Sequence, residues 1–432
     1  MGLFSARTAR IDTENAFKVG PYIAELEGAG HRVIKTNLGE PDFPLPGHIA
    51  QEVKRQIDAD LTHYVDPQGV LPLREAVAGY MGPPRGLEIT PDRVVVFPGA
   101  KPPIGFCQQS YCNPGDEVIY PSPGFPIYES FTGYVGAKAV PLHLDEGKGF
   151  AFSGEDLEGL ITDRTKLIFI CFPSNPTGGV ASREELEGIA AVIAEKAPAD
   201  VRVYSDEIYE NILFDGNEHV SVASFPGMAE RTVIVSGASK SYSWTGGRIG
   251  WAVFPTAEEA QVFKNLNINY FSCVPAYNQM GAKLAIESPE SPPQIRKMVS
   301  AFQERRDLMV AGLNGIDGIT CQTPKGAFYV FPNVGGACEE LGIVEAYGGL
   351  PDAVRRMTSP STLFQMFLLF RYRVATLDRR SFGQIGAGGK HFLRISIATG
   401  IEDLREAVER IGEAARDREG FAAYLESGEP LH

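Results

Sequence analysis

Six short apolar runs rich in β-branched and aromatic residues recur through the middle of the chain, and they limit the folds open to it. They are RVVVFPG (93–99), DEVIYPSP (116–123), KLIFICFPSNP (166–176), VRVYSDE (201–207), RTVIVSGASK (231–240) and GWAVFP (250–255). None shows strict polar alternation, which fits strands covered on both faces. Helical patterns lie between several of them. The clearest is SREELEGIAAVIAEKA (182–197), where Ser182 followed three residues on by Glu185 forms a capping box. Strands alternating with helices predict an α/β fold with a mostly parallel sheet.

The flanks differ. Residues 1–48 carry Pro, Gly and short mixed segments, and 49–295 hold the strand–helix alternation of a large domain. Over 296–432, the helical QIRKMVSAFQERRDLMVAGL leads through GAFYVFP and HFLRISIAT to a final helix, EDLREAVERIGEAARDREGF. That order predicts a smaller α+β domain, with the N-terminal segment packing onto it. The stretch 335–362 reads as a partly helical insertion placed to cover the mouth of a site. GQIGAGGKH (383–391) lacks the first Gly of a phosphate-binding loop and the hydroxyl after Lys390, and reads as a glycine loop.

A chain of 432 residues has ample material for a large core. Its net charge of −14, from 54 acidic and 40 basic residues, argues against a nucleic-acid or anionic-membrane surface. Six scattered cysteines show neither CxxC nor zinc spacing, as in a protein of a reducing compartment, and no metal is called for. MGLFSARTAR has no apolar signal core, and no run is long enough to span a bilayer. A cytoplasmic protein is expected.

Unusual residues cluster after the carboxyl ends of the predicted strands: Gly99-Ala100-Lys101, Phe125, Asn175, Asp206 with Tyr209, and Lys240 with Arg248. Open α/β sheets bind ligands at that edge. Taken singly, each has a plainer account: NPTGG is a turn, Asp206 a helix N-terminal carboxylate, Lys240 an exposed charge and Arg394 a structural ion pair. Their shared position favours one site. A lysine after a buried strand is costly to desolvate as a cation unless it does chemistry uncharged. Lys240 offers an amine, Arg248 and the backbone of GAK suit a phosphate, Asp206 is a carboxylate, and Phe125 is a flat ring. A ligand with an aldehyde, a phosphate, a protonatable aromatic nitrogen and a phenolic oxygen meets all of these. Pyridoxal 5′-phosphate is such a ligand.

SGASKSYSWTGGRIGW, CFPSNPTGG and VYSDEIYE, with NLGEPDF (37–43), THYVDPQGVLPLREAVA (62–78), NPGDEVIYPSPGFPIY (113–128) and GAFYVFP (326–332), resemble the class I, fold type I aminotransferases of the aspartate aminotransferase-like group. The resemblance covers about residues 15–415. It implies that Lys240 forms the Schiff base with the cofactor and moves the substrate proton, and that Asp206 pairs with the ring nitrogen. It further implies that Asn175 and Tyr209 bond the phenolic oxygen, that Phe125 stacks on the ring, and that Arg248 with Gly99, Ala100 and Lys101 holds the phosphate. Arg394 would clamp the substrate carboxylate, with Gly39 and Asn175 beside it. Tyr64 would reach the phosphate of a neighbouring subunit, which implies a homodimer.

Five residues depart from the family pattern: Gly237 replaces a hydroxyl, Trp244 a smaller residue, and Phe125 a Tyr or Trp, while Pro102-Pro103 opens a helix. Lys101, associated in the family with aspartate, favours an amino-group exchange between aspartate and a 2-oxo acid such as 2-oxoglutarate. The alternatives are aromatic or large neutral substrates, or a lyase or synthase on the same scaffold.

Overall fold

A computed structural model describes residues 3–12 and 14–432, so Met1 and Gly2 of the opening decapeptide, and Thr13, lie outside the described residues. The central sheet has seven strands: β1 (Val94–Phe97), β2 (Glu117–Ser122), β3 (Lys138–His143), β4 (Thr165–Cys171), β5 (Arg202–Asp206), β6 (Thr232–Gly237) and β7 (Gly250–Val253). Their spatial order is β1-β7-β6-β5-β4-β2-β3. Only β7 runs against its neighbours. The fold is thus α/β with a mostly parallel sheet.

Six of these strands coincide with the six apolar runs. The seventh, β3, has the sequence KAVPLH and pairs only with β2. Proline is tolerated at such an edge, and Pro141 disguises the strand in the sequence. Alternate residues of β1 feed opposite faces: Val95 and Phe97 pack with Ile104 and Phe106, whereas Val94 and Val96 pack with Leu73, Val77 and Ala282. That two-sided burial explains why the run is apolar throughout. The helix Arg183–Lys196 starts at the capping box, with Ser182 Oγ accepting from Glu185 N at 3.1 Å and Ser182 N donating to Glu185 Oε2 at 2.6 Å.

A second, antiparallel sheet of order β9-β10-β8 comprises β8 (Tyr329–Val330), β9 (Leu377–Asp378) and β10 (Leu393–Ser396). Met309 and Leu313 of the helix Ser291–Asn314 share one apolar cluster with Leu404 and Ala407 of Ile401–Ala414. Ala16, Val19, Ile23 and Leu26 of the N-terminal segment enter the same cluster. Further upstream, Asp12 N donates to Ser130 Oγ at 2.8 Å, so the segment also touches the helix Ile127–Val135.

Two expectations are corrected. The final helix is two helices, Ile401–Ala414 and Arg418–Glu426, because Asp417 caps the second by accepting from Gly420 N at 2.9 Å. The stretch 335–362 holds short helices that run into Pro360–Phe367, every residue of which is buried. It feeds the core of the small sheet and contributes no residue to the lining of the main cavity.

Register aligns the strand ends: Gly250 faces both Phe97 and Gly237, and Asp206 faces both Cys171 and Val235. A Cβ on Gly250 would lie 2.4 Å from the Gly99 carbonyl carbon and 2.5 Å from Ala100 N. Backbone cannot yield there as a side chain could. Gly250→Ala is therefore expected to cost about 1–3 kcal/mol by overpacking, read as a lowered urea midpoint; an unchanged midpoint would show that the turn after β1 has slack.

Candidate active site

A cavity of about 470 Å³ opens at the carboxyl ends of β1, β4, β5 and β6. Gly39, Ala100, Lys101, Phe125, Asn175, Asp206, Tyr209, Lys240, Arg248 and Arg394 all line it. Gly99 stands just behind, with φ 92° and the Arg248 guanidinium 2.2 Å from where its Cβ would be. Tyr64 lies elsewhere. It is 86% exposed, beside a separate surface hollow with His63, Cys273 and Tyr277.

The short helix Ala238–Ser241 follows β6 and carries Lys240 into the cavity, where its amine donates to the Gly39 carbonyl at 2.5 Å. Burial, then the neighbouring Arg394, pull this lysine down to about 8. Arg248 holds a left-handed φ of 51° and donates to the carbonyls of Thr245 at 2.7 Å and Pro98 at 3.0 Å. Arg394, on β10, donates to Asn175 Oδ1 at 3.1 Å and to the Asn37 carbonyl, while its Nε has no partner. Its guanidinium lies between Tyr329 and Phe382, 4.6 and 4.9 Å from the ring centroids. Among the described residues, none of these three cations pairs with a carboxylate.

Asp206 ends β5 and is buried. Tyr128, stacked 4.4 Å over Phe169, donates to its Oδ2 at 2.6 Å. Burial raises the carboxyl to about 6, although the Tyr128 hydroxyl and the Ile208 amide both act to lower it. The Tyr209 and Tyr329 hydroxyls are 2.8 Å apart.

The site also includes lining residues not singled out in the sequence. Tyr128 and Tyr329 belong to the motifs GFPIY and GAFYVFP, which carried a signal; Glu14 and Phe17 come from the N-terminal segment and had none. The Lys101 ammonium, expected to face a substrate carboxylate, pairs with Glu14 and lies 5.5 Å from the Phe125 ring centroid. Away from the cavity, Glu207, Glu210 and His219 have metal-like proximity, but both carboxylates already accept from Arg85.

The family profile "Aminotransferase class I and II" matches residues 31–411. The chain belongs to this family. It is 34% identical over 412 residues to the aspartate/prephenate aminotransferase of Cereibacter sphaeroides, covering 95% of this chain and 98% of that one. It is also 33% identical over 393 residues to an arginine–pyruvate transaminase of Pseudomonas aeruginosa, covering 91% and 92%. The crystal structure of the aspartate aminotransferase from Rhizobium meliloti superposes with a TM-score of 0.85 at 32% identity, covering 96% and 99%. Relatives of comparable identity thus carry different substrate names.

This aminotransferase uses pyridoxal 5′-phosphate, the cofactor of its family. The donor set fits it: one lysine with a depressed pKa, one buried carboxylate raised to about 6, and an arginine beside a glycine turn with no acid on it. The cavity volume of about 470 Å³ also lies in the range of small-molecule sites.

Because Lys240 is depressed from 10.5 to about 8, the native state binds that proton less tightly than the unfolded chain. Its contribution to stability is therefore complete above 10.5 and is lost as pH falls through about 8. Lys240→Met in the cofactor-free protein should thus raise the melting temperature more, relative to wild type, at about pH 7 than at about pH 10. A difference independent of pH would mean that Lys240 titrates normally.

Proposed function

We propose that this aminotransferase exchanges the amino group of an acidic L-amino acid, aspartate foremost, with a 2-oxo acid such as 2-oxoglutarate, with Lys240 as the catalytic residue. The supporting observation is the set of three cations, Lys240, Arg248 and Arg394, facing one cavity without a carboxylate partner. Two arginines suit two anionic groups, a phosphate and an α-carboxylate, and the lysine between them suits a carbonyl.

When bound, pyridoxal phosphate supplies an aldehyde that takes up the amino group and a ring that draws electrons from the substrate Cα. Arg248 and the backbone of Gly99, Ala100 and Lys101 hold its phosphate. Gly237 has no hydroxyl to offer, and Ser239, which lines the cavity, would offer one instead. Asp206 would pair with the ring nitrogen and keep it protonated; a positive charge there would oppose the upward shift that burial imposes on the carboxyl. Asn175 and Tyr209 would bond the phenolic oxygen, and Phe125 would lie against the ring. Arg394 orients the substrate through its α-carboxylate beside Gly39. The Lys240 amine, which needs little energy to be neutral near pH 8, would take and hold the proton from the substrate Cα.

Aspartate is favoured because Lys101 is a further cation at the cavity wall, able to meet a second carboxylate. The enzyme acts as a homodimer in the cytoplasm. Its six cysteines are all free, as suits a reducing compartment. Tyr64, exposed at the hollow beside Tyr277, completes the partner's phosphate site.

Incubating the enzyme and cofactor with 2-oxoglutarate and aspartate, phenylalanine or alanine, singly, tests the reaction class. Glutamate formation from 2-oxoglutarate, fastest with aspartate, is expected. Ammonia or pyruvate release without a new amino acid would make it a lyase, and a phenylalanine preference would displace aspartate. The shared site has its own check. Lys240→Ala and Tyr64→Ala, each impaired alone, should regain activity after subunit mixing, because the mixed dimer contains one intact site; no recovery would leave Tyr64 outside the partner's site.

A further inference from the structure

We infer that Glu14 is a specificity-determining residue: its carboxylate occupies Lys101 when the bound substrate has no acidic side chain, and a substrate's distal carboxylate takes its place. The inference rests on the reading of the cavity as an aminotransferase site in which Arg394 holds the α-carboxylate.

Glu14 and Lys101 both line the cavity and form an ion pair. The ammonium also faces the Phe125 ring, 5.5 Å from its centroid, so the pair stands beside the surface against which the cofactor ring is proposed to lie. Each of the other lining carboxylates has a different partner: Asp206 accepts from Tyr128 and Glu40 from Thr245. Glu14 alone among the described lining acids is committed to a lining cation. It occupies the N-cap position of the helix Asn15–Lys18, yet its side chain caps nothing. Among the described residues, Lys101 is the partner that holds the side chain.

The pair is poised for exchange. Its side chains are 20% and 46% exposed, and an ion pair that wet contributes little on its own. A dicarboxylate anchored at one end by Arg394 presents its other end at high effective concentration, and so competes well for the ammonium. Replacing one carboxylate by another leaves Lys101 paired throughout, and Glu14 is near enough to the mouth to be solvated when released. For an uncharged side chain no exchange occurs, and Lys101 does not stand as an unpaired cation against an apolar group. One site thereby accommodates an acidic 2-oxo acid in one half-reaction and a different amino acid in the other.

The test compares two unreactive analogues on the cofactor-loaded enzyme, maleate with two carboxylates and 3-phenylpropionate with one, by calorimetric titration. Glu14→Gln, which frees Lys101, should shift the affinity ratio toward maleate by about tenfold. In a Lys101→Gln background, the same Glu14→Gln change should move the ratio by less than about twofold. A ratio unmoved by Glu14→Gln alone would overturn the inference. So would an equal shift in both backgrounds, which would mean that Glu14 acts by general repulsion and not through Lys101. These ratios are read without turnover, so they stand apart from the transamination test: absence of glutamate formation from 2-oxoglutarate by the wild type would sink the aminotransferase site reading alone.

Discussion

Holding Lys240, Arg248 and Arg394 around one cavity with no acid on any of them is the constraint from which the surrounding construction follows. An unpaired cation is costly where water is excluded, most of all at the buried Arg394 and least at the exposed Arg248, and the chain limits that cost with uncharged acceptors and with rings. Carbonyls of Gly39, Pro98, Thr245 and Asn37 accept from the three, and Tyr329 and Phe382 enclose the Arg394 guanidinium. Such contacts orient a cation without neutralising it. The charge stays available for a ligand, and the depressed lysine follows directly. Neutralising acids would stabilise the protein and, in the proposed reading of the site, weaken its hold on anions, so that stability and function would oppose each other here.

Bringing those groups together requires backbone to touch backbone. Gly99 follows β1, Gly237 ends β6 and Gly250 opens β7, and each stands where a Cβ would collide with its neighbours. For Gly237 the obstacles are Gly250 Cα and the Ile249 carbonyl, both 2.9 Å from the would-be Cβ. A serine does not fit there, which accounts for the absent hydroxyl three residues before Lys240. The same closeness sets the turn after β1 against the turn that leads into β7, so the GAK amides and Arg248 share one side of the cavity.

Legibility in the sequence followed the range of the interaction. β1, β2, β4, β5, β6 and β7 are covered on both faces, and continuous burial writes itself as a continuous apolar run. β3 escaped because it is a partly exposed edge strand containing Pro141. Most of the legible cavity residues sit at or just beyond strand ends, where topology alone sends them to one edge; Gly39, in the N-terminal segment, and Arg394, on β10, were legible only through the family resemblance. Glu14 and Phe17 were not legible, since only tertiary packing of the N-terminal segment carries them there. Lys101 was half legible. Its place on the wall was foreseen, but its partner lies 87 residues away and no local pattern announces it.

Trp244 shows how a departure from the family pattern can be absorbed locally. Its indole lies over Gly247, where a Cβ would be 2.3 Å from Cε2 and Nε1, and against Gly281, where one would be 2.9 Å from Cη2. A large residue at 244 is therefore compatible only with near-absent side chains at 247 and 281. Gly247 directly precedes Arg248 and offers its carbonyl to Asn278 Nδ2 at 2.9 Å. The indole thus occupies the volume that a side chain at 247 would fill, and packs the turn from the protein side. Arg248 is left with its left-handed backbone and an open face toward the cavity.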